Sequence, residues 1–399
     1  MLASDLAWDQ NDLQEPSVYN NQKVLLITND FGPRAGGIET FIIGLLERIP
    51  KGQTIVYTSN QGDTEEYDAY WLREYGVKVI RDRMKVLLPT PRVNSAAKRI
   101  LQSEKIERVW FGSAAPLAAM SPILRKAGAK NIVAMTQGHE VWWAKIYPFK
   151  WIIKFIAKNV DSLTYLTGYT GDAVAKALGI ESKNKLVKIL PGIDILHFIP
   201  SERDQSLATE IGIHGRQTIV SVGRLVHRKG QDRLIEALPK ILEKVPNAAL
   251  LLVGTGPYKK EIEALVLKHK MSSHVFFAGR IQHEDLPKYF ALGDLFAMPA
   301  RNRLGGLEVE GLGIVYLEAS ACGIPTIVGN SGGAPEALIE GKTGFLVDGN
   351  SVDEIADAAI RILTNPTLQK EMGSYGNRWV NDEWNWDIWS DRFNKILFK

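Results

Sequence analysis

Glu310 and Glu318 stand with seven residues between them in the stretch EVEGLGIVYLE. Gly311 and Gly313 lack a Cβ, so the backbone N–H groups there can come close to a diphosphate. A helix opening at the apolar run would add partial positive charge behind them. Glu310 would then face a sugar and Glu318 a ribose, which together make a holder for a nucleotide diphosphate sugar. The plain alternative is a solvated helix start, because glutamate is favourable in any first turn and such pairs recur by chance in a chain with 45 acidic residues.

Further groups fall in other loops. SVGRLVHRKG supplies Arg224, Arg228 and Lys229, fixed cations that can neutralise a departing diphosphate. No DxD motif occurs, so a carboxylate-bound metal is not expected to be essential and no cofactor is required. DFGPRAGGIET places Gly36 and Gly37 at the opening of a helix, in a glycine-rich turn that is not the GxGxxG fingerprint. TQGHE carries His139, a candidate sugar ligand, although a loop histidine also serves as an ordinary surface group. VGTGP, which alone reads as a plain turn, and FAGRI close two further strands, and Ile281 would offer backbone groups to a nucleobase.

These loops follow short buried strands that alternate with helical stretches. KVLLIT, QTIVYTS, VKVI, RVWFG, NIVAMT and SLTYLT form one series; TIVSVG, ALLLVG, HVFFAG, LFAMP, PTIVG and GFLV form a second. Two βαβ series predict an α/β chain with two doubly wound parallel sheets, whose ligands bind at the carboxyl ends of the strands, in a cleft between the halves. The division predicted from LPGIDILHFIP gives a polar, disordered leader over 1–22, an N-terminal domain over 23–195 and a C-terminal domain over 196–378. A tryptophan-rich terminal helix over 379–399 completes the chain.

A length of 399 residues suits two cores. No run is apolar enough to span a bilayer and the acidic N-terminus does not read as a secretory signal, so a cytoplasmic location is expected. The single cysteine, Cys322, excludes a disulfide framework within the chain. Net charge is only +3, but residues 23–195 hold 25 basic and 16 acidic residues, a balance of +9. That half is the one expected to meet an anionic surface. Residues 81–105 carry seven basic and two acidic residues, with Arg81, Arg83, Lys85 and Arg92 beside the apolar Met84, Val86, Leu87 and Leu88. Such a cluster suits peripheral attachment to anionic lipid. In WWAKIYPFKWIIKFIAK, Lys150, Lys154 and Lys158 suit the same purpose or the wet face of an ordinary helix.

The order of the Gly-Gly turn, GHE, SVGR with RKG, GTGP and the spaced glutamates resembles retaining glycosyltransferases of the two-Rossmann-domain type from Lys23 onward. MPARNRLGGLEVEGLGIVYLEASACGIP most resembles the bacterial phosphatidylinositol mannosyltransferases that add the second mannose. The resemblance implies that Arg224 and Lys229 bind the diphosphate, Glu318 the ribose and Ile281 the base. Glu310 and the amides of Gly311 to Val315 would hold the sugar and its phosphate, and His139 a sugar hydroxyl. It further implies GDP-mannose as donor, a phosphatidylinositol mannoside as acceptor, an α-1,6 product, same-face attack with Glu310 not a nucleophile, and work on the inner face of the plasma membrane. It also implies a terminal helix crossing back to the N-terminal domain. Gln137 departs from many relatives. A transferase with another donor or a soluble acceptor, a sugar-nucleotide epimerase and a non-enzymatic lipid-binding protein are the competing readings; a nucleic-acid binder is disfavoured for want of a motif.

Overall fold

The computed structural model describes residues 19, 22–33, 36–138, 140–178 and 180–399. The chain divides into two compact units, Met1–Gly192 with Trp386–Lys399, and Ile193–Asn385. Each is a parallel sheet flanked by helices.

In the first unit the strands are β1 (Val24–Thr28), β2 (Thr54–Thr58), β3 (Lys78–Arg81), β4 (Arg108–Phe111), β5 (Asn131–Met135), β6 (Ser162–Tyr165) and β7 (Leu186–Lys188). Their order is β3-β2-β1-β4-β5-β6-β7 and every pairing is parallel. The second unit contains β8 (Thr218–Val222), β9 (Ala249–Val253), β10 (Val275–Gly279), β11 (Leu295–Met298), β12 (Thr326–Gly329) and β13 (Gly344–Val347). Here the order is β10-β9-β8-β11-β12-β13, again all parallel.

Continuous apolar runs make the central strands, because a sheet covered by helices on both faces must bury alternate side chains in both directions. β1, β2, β5, β8 and β9 are accordingly buried at every residue. In the second unit Leu234, Ile235, Leu238 and Ile241 of the helix Gln231–Lys244 pack on Ile219, Leu250 and Leu252. Each such side chain contributes about 1.5–3 kcal/mol by leaving water.

Two expected boundaries move. The change of unit falls after Gly192 rather than after residue 195, because Ile193 N donates to Trp384 O at 2.7 Å and pairs with Asn385. The terminal segment is not one helix over 379–399. Pro366–Glu383 is a continuous helix that carries Trp379 in the second unit, and a second helix, Trp386–Leu397, belongs to the first. There Trp386 packs against Gly44 and Gly192, and Phe393 lies on Trp110 at 4.8 Å. Of the leader expected over 1–22, only Tyr19 and Gln22 are described; Tyr19 is buried and stacks on Phe398 at 4.8 Å.

Candidate functional site

Strand order in the second unit reverses between β8 and β11, and at such a switch point the loops leaving the two strands splay apart and open a crevice at their carboxyl ends. From β8 comes Gly223, then a short turn over His227–Lys229 that ends at Gly230. From β11 comes Pro299 and a long excursion to Glu310, followed by the helix Ile314–Ala321. The β9 turn supports the first of these loops: Leu225 N donates to Thr255 O at 3.0 Å and Tyr258 N to Leu225 O at 3.1 Å. The GTGP residues thus brace the cation loop.

Lys229 and Glu310 meet in this crevice. Both are buried, and Lys229 Nζ lies 3.1 Å from Glu310 Oε2. Arg228 Nη1 donates to the same oxygen and its Nε lies 4.0 Å from Glu308. Burial alone would raise the Glu310 carboxyl, but Lys229 and Arg228 outweigh it and hold the group below its ordinary range. Lys229 moves the other way from what one ion pair would give: burial and the Arg228 charge depress its ammonium despite Glu310. One anion shared by two cations reconciles the directions, since Glu310 gains two partners while Lys229 gains one partner and a like charge.

Glu310 is also fixed through its backbone. Its N–H donates to Ser331 Oγ at 3.0 Å, Ser331 Oγ donates to Asn302 at 2.9 Å, and Glu310 O accepts from Gly333 N at 2.9 Å. Beyond it the backbone turns at Gly313 with φ +78°, where a Cβ would also strike the Tyr316 ring. Glycine is therefore required to start the helix, whose first N–H groups have no partner within it, a terminus of the kind that can bind an anion. Leu312 is buried, and Ile314 and Val315 are half-buried at the start of the helix.

Glu318 lies one helical turn farther in and is buried, and its Oε2 has no hydrogen-bond partner among the described residues. Burial pushes its carboxyl up to about 7, only partly opposed by Lys229. An orphaned buried carboxylate oxygen is costly unless a ligand donates to it, which a ribose diol can do.

The remaining sequence candidates divide. Arg224, two residues after β8, is exposed and takes no part in the Glu310 cluster; Arg228, grouped in the sequence with Arg224 and Lys229 as a cation for the diphosphate, does. Its 310-oriented side chain could not be read from one basic residue beside another. Ile281 is half-buried two residues beyond β10, at the same edge of the sheet. Gly36 and Gly37 lie in the first unit, where they open the helix Gly37–Leu46. His139 lies outside the described residues. Gln137 is buried and donates to Gly112 O at 2.7 Å, tying together the loops after β4 and β5.

The proposed basic surface needs correction. Arg81 is a structural fork: Nε and Nη2 hold Asp68 at 2.8 and 2.7 Å, and Nη2 also donates to Gly32 O at 2.8 Å. Arg92 clamps Asp82 through two bonds of 2.7 Å, and Asp82 further accepts from Tyr57 Oη and Met84 N. These bonds, Arg92 foremost, hold the Asp82 carboxyl well below its ordinary range although burial opposes them. Arg83 and Lys85 are exposed, as are Met84, Val86 and Leu88 between and beside them. Leu87 turns inward, and Asn29 grips its backbone from both sides, at 3.1 and 2.6 Å. The loop is thus held at Leu87 and at Met84, whose N–H donates to Asp82 and whose carbonyl accepts from Asn60 N at 2.8 Å, and it presents apolar and basic side chains outward.

Residues 205–379 match the model "Glycosyl transferases group 1", and residues 35–195 match "Glycosyltransferase Family 4". The chain is 42% identical over 376 residues to the GDP-mannose-dependent alpha-(1-6)-phosphatidylinositol monomannoside mannosyltransferase of Mycolicibacterium smegmatis, covering 94% of this chain and 98% of that one. A Corynebacterium glutamicum relative, named for a monoacylated form of the same acceptor, is 39% identical at the same coverage. Among solved structures, Anabaena Alr3699/HepE in complex with UDP aligns with a TM-score of 0.78 at 17% identity, over 94% of this chain and 99% of that one. Sucrose-phosphate synthase from Thermosynechococcus elongatus aligns with a TM-score of 0.75 at 20% identity, over 94% and 98% of the two chains. At that identity the structures share the fold of two Rossmann-like domains. The sequence relatives go further: the chain belongs to the group 1 glycosyl transferases, in one family with the mycobacterial phosphatidylinositol monomannoside mannosyltransferases.

Proposed function

We propose that this protein transfers mannose from GDP-mannose to a phosphatidylinositol mannoside, forming an α-1,6 linkage with retention. The observation that carries the site assignment is the cluster of buried Lys229 and Glu310 with half-buried Arg228, beside an orphaned Glu318 oxygen, at the switch point of the second sheet. Lys229, with the exposed Arg224 of the same loop, receives the diphosphate, and the charge that develops on it as the sugar leaves is met by these cations and the helix N-terminus. A divalent metal is not essential in this reading. Glu318 accepts from the ribose, and backbone at Ile281 meets the base.

Glu310 is held ionised by two cations. A carboxylate so neutralised is a weak nucleophile and a good acceptor for a sugar hydroxyl. That supports same-face attack: the acceptor oxygen bonds to the anomeric carbon, the bond to the phosphate oxygen breaks, and that oxygen takes the acceptor proton. His139 is assigned a sugar hydroxyl, and Gly36 with Gly37 an approach to the donor phosphate.

The lipid acceptor implies a membrane surface, although no helix among the described residues is long and apolar enough to cross one. The corrected contact is the Arg83–Leu88 loop, with Met84, Val86 and Leu88 entering the headgroup boundary and Arg83 and Lys85 meeting anionic phosphate, on the inner face of the plasma membrane. Purified protein incubated with GDP-mannose and phosphatidylinositol monomannoside tests the function. A product with one further α-linked mannose is expected, with EDTA leaving the activity in place. Preference for UDP-glucose or UDP-mannose, or a β-linked product by NMR, would overturn the assignment.

A further inference from the structure

Arg301 is among the least exposed charged residues of the second unit, and nothing in the proposed reaction uses it directly. Its side chain is 3% exposed and holds Asp232 by two bonds of 3.0 and 2.7 Å. Nη2 also lies 2.6 Å from His227 Nδ1, so that nitrogen accepts and the imidazole proton sits on Nε2. The His227 ring in turn rests on Tyr258, with centroids 4.9 Å apart. Arg301 N donates to Arg228 O at 2.9 Å. All four contacts converge on the turn His227–Lys229 and the first turn of the helix that follows it.

Besides these contacts the turn has its own bond from Lys229 N to Val226 O at 3.0 Å, and the β9 turn holds it at Leu225. The turn His227–Lys229 closes at Gly230 with φ +78°, where a Cβ would collide with the Pro299 carbonyl, so the turn lies directly against the chain that leads to Arg301. The next residue, Asn302, receives the Ser331 hydroxyl that anchors the Glu310 N–H. Adjacent residues therefore grip the two sides of the crevice: Arg301 the cations and Asn302, through Ser331, the carboxylate.

We propose that Arg301 is a positioning residue that sets the place of Arg228 and Lys229 for the donor diphosphate, with Asp232 and His227 as its fixed points. The proposal rests on the reading of this crevice as the diphosphate site. It assigns no contact between Arg301 and the donor. A planar guanidinium satisfies a carboxylate fork and an imidazole nitrogen in one plane, which a lysine cannot do.

The test compares GDP with guanosine, which shares the base and ribose but lacks the phosphates, as competitors of GDP-mannose at a temperature well below unfolding. Arg301→Gln should weaken GDP by about tenfold and lower kcat, while guanosine stays within about twofold of wild type. Arg301→Lys should restore part of the GDP affinity. His227→Phe keeps the ring on Tyr258 and removes the acceptor nitrogen; it guards against failure of Arg301→Gln to fold, and should weaken GDP by about threefold with guanosine unchanged. Parallel loss of GDP and guanosine, or unchanged GDP in folded variants, would overturn the positioning role. Wild-type protein that binds guanosine no more weakly than GDP, with Lys229→Ala equally indifferent to the phosphates, would instead reject the diphosphate site itself.

Discussion

The two units share one architecture and spend their charges differently. Each has its strand order reversed between its first and fourth strands, β1 and β4 in the first unit, β8 and β11 in the second. In the second, the switch point holds buried Lys229, Glu310 and Glu318, an arrangement that costs stability unless a ligand uses it. In the first, the loops after β1 and β4 are tied by Ser113 donating to Asp30 at 2.9 Å, and Arg81 and Arg92 are spent on Asp68 and Asp82. Equal topology thus carries a charged interior crevice in one case and an apolar, basic outer loop in the other. Placement of a basic residue at a strand end is a poor guide to its use; what it touches decides.

The largest expected effect lies in the second unit. Lys229→Ala removes an ammonium that Arg228 cannot replace from its own position, and should reduce kcat/KM by an amount corresponding to about 2–4 kcal/mol. Arg224→Ala should act in the same direction and less strongly, because Arg224 is exposed. Steady-state kinetics on variants with wild-type circular dichroism decide it. An exposed arginine that matters more than the buried lysine would reverse the proposed hierarchy.

Glu318 sharpens the contrast through pH. Its folded-state carboxyl is raised from an ordinary 4.5 to about 7. Below the unfolded value both states are protonated and nothing is lost. Between the two values the unfolded chain ionises while the folded one keeps its proton, so stability falls as pH rises, and the full cost stands above the folded value. The shift sets that cost at about 3 kcal/mol as an upper bound. Glu318→Gln should therefore raise the melting temperature of ligand-free protein at pH 8, leave it nearly unchanged at pH 4.5, and weaken GDP. A variant less stable than wild type at pH 8 would mean that Glu318 is satisfied internally.

The smallest effect belongs to the first unit. Replacing Arg83 and Lys85 with serine should weaken binding to anionic vesicles by about 1 kcal/mol per residue at low salt, with GDP affinity intact. Arg81→Ser should lower the melting temperature instead, since it breaks the fork to Asp68 and Gly32. Vesicle co-sedimentation across a salt series separates the two; equal behaviour of Arg81 and the loop pair would remove the distinction between structural and surface cations.

Much of this was legible in the chain. Strands such as ALLLV and TIVSV announce themselves because buried parallel strands are unbroken apolar runs ended by glycine or proline. Glu310 and Glu318 were findable from the glycines between them. The Arg81–Asp68 fork and the Arg301–Asp232 pair were not, because they join residues 13 and 69 positions apart through side-chain directions that no local period encodes. The tryptophans misled in a similar way: Trp379 and Trp386 read as one helix, yet the chain breaks at Trp384–Asn385 and sends them to different units.

The central claim is that the two buried glutamates divide one donor between them, and calorimetric titration with GDP of Glu310→Gln and Glu318→Gln tests it most directly. Removing the Glu310 charge frees Lys229 and Arg228 for the diphosphate, so that variant should bind GDP at least as tightly as wild type while losing transfer. Glu318→Gln should bind GDP more weakly by about tenfold. Equal loss of GDP affinity in both variants would contradict the division, and with it the reading of this crevice as a donor site laid out from ribose to sugar.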